Sequence, residues 1–212
     1  MRDYYDHRAL EYDEWYEGAG LFAARVRPGF AEELAAVRAL LAALPPGCVL
    51  DVACGTGYLT RDLQGSVVGL DQSPGMLLRA RERAPQARLV RGDALALPFA
   101  ARRFDRLVAA HIYGHVEAAD RDAFLAEARA VASELVVVDA GARGGAPRDE
   151  WQERVLNDGS RYRVYKRFFT AESLAFELRA ARVLFDGYWF VAVVAPGTDA
   201  REAPAHQDGV GD

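Results

Sequence analysis

The stretch that most limits what this chain can fold into is residues 48–59, CVLDVACGTGYL. Val49, Leu50 and Val52 form the apolar run of a strand covered on both faces, and the run gives way at once to Gly55 and Gly57. Residues without a Cβ let a chain turn sharply and let a ligand approach the backbone, so the pattern is that of an open parallel sheet binding across a strand's carboxyl end. A helix is expected to follow over residues 58–63. Asp51 interrupts the apolar run, and an unpaired buried carboxylate is costly enough to call for a partner.

The alternation recurs downstream. Residues 67–70 read as a second strand ending in Asp71, followed by Gln72-Ser73-Pro74-Gly75 and a helix over 76–84. Residues 88–90 read as a short third strand with Gly92-Asp93-Ala94 as its exit, and 106–110 as a fourth that leaves into His111-Ile112-Tyr113-Gly114-His115. An amphipathic helix over 121–131 leads to a fifth buried strand at 135–138, ended by Asp139. Strand alternating with helix predicts βαβ units and a parallel sheet. A carboxylate at the end of the second strand can accept from both hydroxyls of a ribose, and Asp93 can accept from the exocyclic amine of a purine. The plainer alternatives are a helix cap ahead of Pro74 for Asp71 and a turn-forming residue for Asp93.

On either side of this core the patterns differ. Tyr5, Ala9, Tyr12 and Tyr16 recur at helical spacing until Gly18 and Gly20, which predicts a helix whose aromatic stripe is either core or a lid over a tyrosine-lined cavity. A second helix is expected over 30–44, ended by Pro45-Pro46-Gly47. In the segment 151–169, Arg161, Arg163, Tyr165 and Arg167 alternate with Tyr162, Val164, Lys166 and Phe168, either as a solvated strand face or as a basic wall facing an anionic substrate. Thr170 can cap a helix over 171–180, and Asp186-Gly187 between 183–185 and 189–194 predicts a hairpin with a type I′ turn. Residues 197–212 are polar without period and are expected to be disordered.

With 212 residues and a net charge of −5, the chain has the length of one domain and no attraction to nucleic acid phosphates. Cys48 and Cys54 lie too far apart on one extended element to bond, and they read as free thiols of a cytoplasmic protein. The charged N-terminal segment does not resemble a signal peptide, and no apolar run approaches the roughly 20 residues that span a bilayer, so no membrane partner is expected.

The stretches VLDVACGTG, VVGLDQSPGML, GDALALPF and FDRLVAAHIYGH resemble, in order and spacing, successive motifs of the class I S-adenosylmethionine-dependent methyltransferases over residues 46–140. The resemblance implies an α/β fold: a doubly wound, seven-stranded, mostly parallel Rossmann-like sheet with an antiparallel hairpin at its edge and an N-terminal helical lid. One domain over 1–196 would comprise lid helices (1–44), a cofactor-binding core (46–140) and a substrate-side segment with the edge hairpin (141–196). The cofactor would be S-adenosyl-L-methionine and no metal is expected. Asp51, Gly55 and Gly57 would meet its methionine part, with Ala53 where many members have the first glycine of the loop. Asp71 would hold the ribose, Gln72 and Met76 would sandwich the adenine, and Asp93 with Ala94 would bind the adenine amine. Tyr5 and Tyr12 would shield the sulfonium.

His111 is the first candidate for a general base, because it follows the fourth strand beside the expected methyl position. His115 is a second candidate, and Tyr113 could orient the substrate. The acceptor is expected to be a small molecule methylated on O, N or C by a monomer or homodimer. No nucleic acid acceptor is expected, because Asp-Pro-Pro-Tyr and Asn-Pro-Pro-Tyr are absent after the fourth strand. Alternatives are a protein methyltransferase, a noncatalytic binder of the same nucleoside, and a nicotinamide oxidoreductase, although Thr60 occupies the third glycine position of a G-x-G-x-x-G count from Gly55.

Overall fold

A computed structural model describes residues 2–197; most of the tail expected to be disordered lies outside them. Strands β1 (Gly47–Val52), β2 (Gly65–Asp71), β3 (Arg88–Arg91), β4 (Phe104–Ala110) and β5 (Ala132–Ala140) pair in parallel, and β8 (Arg182–Asp186) and β9 (Phe190–Pro196) complete a seven-stranded sheet in the order β3-β2-β1-β4-β5-β9-β8. Strand β9 runs antiparallel to both of its neighbours, giving the expected edge hairpin.

The apolar runs of the strands bury both faces. On β5, Leu135 and Val137 point to a core shared with helices α5 (Arg121–Val131) and α6 (Ala171–Leu178), while Val136 and Val138 point to one built on helix α3 (Phe30–Ala42). Pro74 opens helix α4 (Pro74–Arg83) and Ser73 caps it, its hydroxyl accepting from the Met76 amide. Thr170 caps α6 in a reciprocal pair with Ser173.

The structure departs from the sequence expectation in three places. The tyrosine-striped N-terminal helix is broken into α1 (Arg2–Arg8) and α2 (Glu14–Glu17). Asp13, at the break, is drawn onto the glycine loop, where its carboxylate accepts from Thr56 Oγ1 at 2.5 Å and pairs with Arg83 at 2.8 Å. The helix expected over 58–63 is reduced to a single 3₁₀ turn, Thr60–Asp62, because the Thr60 hydroxyl donates back to Asp51 at 2.6 Å. The turn between β8 and β9 is not type I′. Residues 187–189 form a longer loop, and the Glu33 carboxylate of α3 accepts from the amides of Tyr188, Trp189 and Phe190.

The basic–aromatic segment forms half of a separate antiparallel hairpin, β6 (Arg148–Val155) and β7 (Arg161–Phe168). Its alternation is lost toward the end of β7, where Val164, Tyr165, Lys166 and Phe168 are all buried. Among the described residues no helix is long and apolar enough to cross a membrane.

Candidate functional site

A cavity of about 240 Å³ opens at the carboxyl ends of β1, β2 and β4, roofed by the N-terminal segment. Asp71 lines it from the end of β2. Its two carboxylate oxygens accept from the amides of Gly55 and Ser73, each at 2.9 Å, so the rotamer is fixed and a lone pair on each oxygen remains for a ligand. Burial raises its pKa, and the backbone donors oppose that shift. Gln72 and Met76 follow on the same wall, with Asp93 and Ala94 beyond β3. Ala53 and Gly55 form the floor, in left-handed backbone at φ 56° each, and Tyr5 and Tyr12 look down from the roof.

A smaller cavity adjoins the first through shared Tyr12, Ala53, Gly55 and Ala110, and Asp51 lines it. The Asp51 carboxyl is 3% exposed and its pKa is pushed up to about 7, mainly by burial; the Thr60 hydroxyl opposes the rise and Asp71 adds to it. Among the described residues no cation pairs with it. A buried carboxylate beside a small void, lacking a counter-ion, fits an ammonium group. Tyr16 lies flat on Tyr58 beside it, ring centroids 4.0 Å apart.

Two expected site residues stand elsewhere. Gly57 lines neither cavity: a Cβ there would meet Ala80 Cα and Ala84 Cβ at 3.2 Å, so this glycine lets α4 pack against the loop. Tyr113 is not at the cavity either. Its ring is buried between Phe124 and Phe169, and its hydroxyl donates to Glu177 beyond the sheet.

His111 and His115 both line the cavity. His111 holds a left-handed backbone at φ 62°, fixed by its amide donating to the Val138 carbonyl, and its ring packs against Trp15, Tyr16 and Phe190. Its Nε2 is buried without a hydrogen-bond partner, and burial pulls its pKa down to about 4. So depressed a group takes up a proton poorly at neutral pH. His115 is also held well below its ordinary value, by burial first and by Lys166 second, and its Nδ1 lies 2.7 Å from the Tyr165 carbonyl. Behind both rings Asp139 pairs with Lys166 at 2.6 Å and accepts from the Gly114 amide at 2.7 Å.

The family described as "Methyltransferase domain" matches residues 49–134. The solved DhpI-SAM-HEP complex superposes with a TM-score of 0.72 at 28% identity, over 92% of this chain and 95% of that one. In that segment and in its fold the chain is similar to class I S-adenosylmethionine-dependent methyltransferases.

Among curated relatives, the 2-phytyl-1,4-naphtoquinone methyltransferase of Thermosynechococcus vestitus is 49% identical over 71 residues, 29% of this chain and 32% of that protein. The demethylmenaquinone methyltransferase of Thermotoga maritima is 37% identical over 97 residues, 43% and 42% of the two chains. The chain thus spans about a third of the length of the first curated relatives it matches. The fold is shared with the Burkholderia thailandensis 1,6-didemethyltoxoflavin-N1-methyltransferase, at a TM-score of 0.60 and 17% identity over 94% of this chain and 91% of that one.

Sequence reasoning passed over several residues of the cavity. Ile112, Val116, Glu117 and Asp120 line it from the loop after β4, where the apolar period had already ended. The Lys166–Asp139 pair joins residues 27 apart, and only Asp139's place at the end of a strand hinted at a partner.

Proposed function

We propose that the protein transfers a methyl group from S-adenosylmethionine to a nucleophilic atom of a small molecule. The observation that carries this reading is the pair of adjoining cavities at the strand ends, with Asp51 in one and Asp71 and Asp93 in the other. Two of these acids suit hydroxyls and a ring amine, and Asp51 suits a cation. When bound, the cofactor supplies a methyl group on a sulfonium that departs as a neutral thioether.

The chain's own residues would bind, orient and exclude water. Asp51 would hold the amino-acid ammonium, with Ala53 and Gly55 allowing close approach of the backbone. Asp71, already locked by two amides, would take the ribose hydroxyls. Met76, Gln72, Asp93 and Ala94 would enclose the adenine. Tyr12 and Tyr5 would cover the sulfonium, and their hydroxyls, raised in pKa by burial, stay protonated there. Alignment and dehydration then supply most of the rate. The low pKa of His111 favours an acceptor that arrives deprotonated or is inherently nucleophilic, with the imidazole as a neutral wall beside it.

In this reading residues 1–44 form the lid, 46–140 the cofactor core and 141–196 the acceptor side. The small-molecule methyltransferases among the relatives support an acceptor of that size. The free thiols Cys48 and Cys54 support a reducing, cytoplasmic setting.

Calorimetry with S-adenosylhomocysteine tests the reading. The wild-type protein is expected to bind it, and Asp71→Asn to weaken binding by roughly tenfold or more, as for loss of a charge-assisted bond. No heat with the wild-type protein would sink the proposal. A screen with radiolabelled methyl donor then identifies the acceptor.

A further inference from the structure

We infer that Arg8 and Arg154 build an oxyanion-recognition site beneath the lid, behind the Tyr5 and His115 wall of the cavity, which takes a small acid by its phosphoryl or carboxylate group.

Arg8 ends α1 and is 9% exposed. Its guanidinium donates to the Tyr4 hydroxyl and lies 5.5 and 5.0 Å from the ring centroids of Tyr4 and Tyr12. Arg154 lies on β6 opposite Tyr162 of β7, and cross-strand partners share a face. Tyr162 packs on Tyr4 with ring centroids 5.3 Å apart, so the hairpin turns Arg154 toward the face of the lid that holds Arg8. The two guanidiniums feel one another's charge, and Arg25 adds a third. The Arg154 Nε is sealed from solvent and has no hydrogen-bond partner.

Among the described residues several other shielded cations are matched to carboxylates: Arg38 with Asp62, Arg83 with Asp13, Arg106 with Glu134, Lys166 with Asp139 and Arg167 with Glu177. Among the described residues no carboxylate pairs with Arg8 or Arg154. Gathering like charges out of water without a counter-ion is costly, and a fold tolerates it where an anion completes the site. Planar guanidinium forks match the oxygens of phosphoryl and carboxylate groups. The cluster lies directly behind the cavity wall, because Tyr5 and His115 both line the cavity and both feel Arg154. Tyr5 stands between them, its ring 4.8 Å from Tyr4 and 6.3 Å from His115.

The donor nucleoside also carries a carboxylate, so the experiment separates the two sources. Thermal unfolding and calorimetry of the full chain would use inorganic phosphate and acetate, with chloride at matched ionic strength, in the presence and absence of saturating S-adenosylhomocysteine. Phosphate or acetate is expected to raise the midpoint beyond chloride even with the nucleoside bound. Arg154→Gln should weaken that oxyanion by roughly tenfold to a hundredfold while leaving nucleoside affinity unchanged, and Arg154→Lys should retain part of it. The inference is overturned if neither anion acts beyond chloride on the wild-type protein, if the Gln variant binds them equally well, or if bound nucleoside abolishes their effect. Because the anions are also tested alone, failure of nucleoside binding would remove the methyltransferase reading and leave the anion site to its own result.

Discussion

Asp51 illustrates how much one side chain can impose on the ligand-free protein. Its pKa near 7 in the fold lies above the ordinary carboxylate range, so the native state holds a proton there that the unfolded chain has released. That contribution to stability is complete at low pH and is lost as the pH rises toward about 7. His111 has the opposite sign: with a folded pKa of about 4, stability rises with pH up to its ordinary value of 6.5. Replacing Asp51 with Asn should therefore raise the urea midpoint relative to wild type at about pH 8, with the advantage shrinking toward about pH 4, as a pH series of unfolding curves would reveal. A difference independent of pH would contradict the assignment. At Gly57, φ 77° and the 3.2 Å approach to Ala80 and Ala84 mean that Gly57→Ala should cost about 1–3 kcal/mol in denaturant unfolding. Sequence spacing marked this glycine as special but assigned it to a ligand, because a tight turn and a close helix leave the same letter.

Among elements, the parallel strands and the helices α3 to α6 were legible, since an apolar run or period is a local property of the chain. The roof and the edge turn were not, because each is decided by a side chain from a distant element. Asp13 breaks the N-terminal helix by reaching Thr56, 43 residues away. Glu33 sets the β8–β9 turn from 155 residues away, where Asp-Gly alone suggested a tighter one. Glu33→Ala should cost about 1–3 kcal/mol and speed amide hydrogen exchange at Tyr188, Trp189 and Phe190, while exchange in β1 follows only the change in global stability. Unchanged exchange in that loop would show that the strands hold the turn by themselves.

For the molecule as a whole, the joint between the sheet and the β6–β7 hairpin is Lys166 on Asp139, 6% and 0% exposed at the side chain. Lys166→Met would leave a buried carboxylate without its cation, and a loss of about 3–5 kcal/mol is expected in thermal or urea unfolding. Adding Asp139→Asn should restore part of it; if the double variant is no better than the single one, packing rather than charge explains the loss. The roof depends on that hairpin too. Glu11 accepts from the Asn157 amide across 146 residues, and Tyr4 rests on Tyr162. Contacts of such span form late in folding, because much chain must be ordered before they can close. A nascent chain would therefore leave Tyr4 and Glu11 without these partners until the hairpin has emerged, and the binding chamber would be among the last compartments to be enclosed. In stopped-flow refolding, nucleoside capture should lag behind the packing of Trp189 against Phe30.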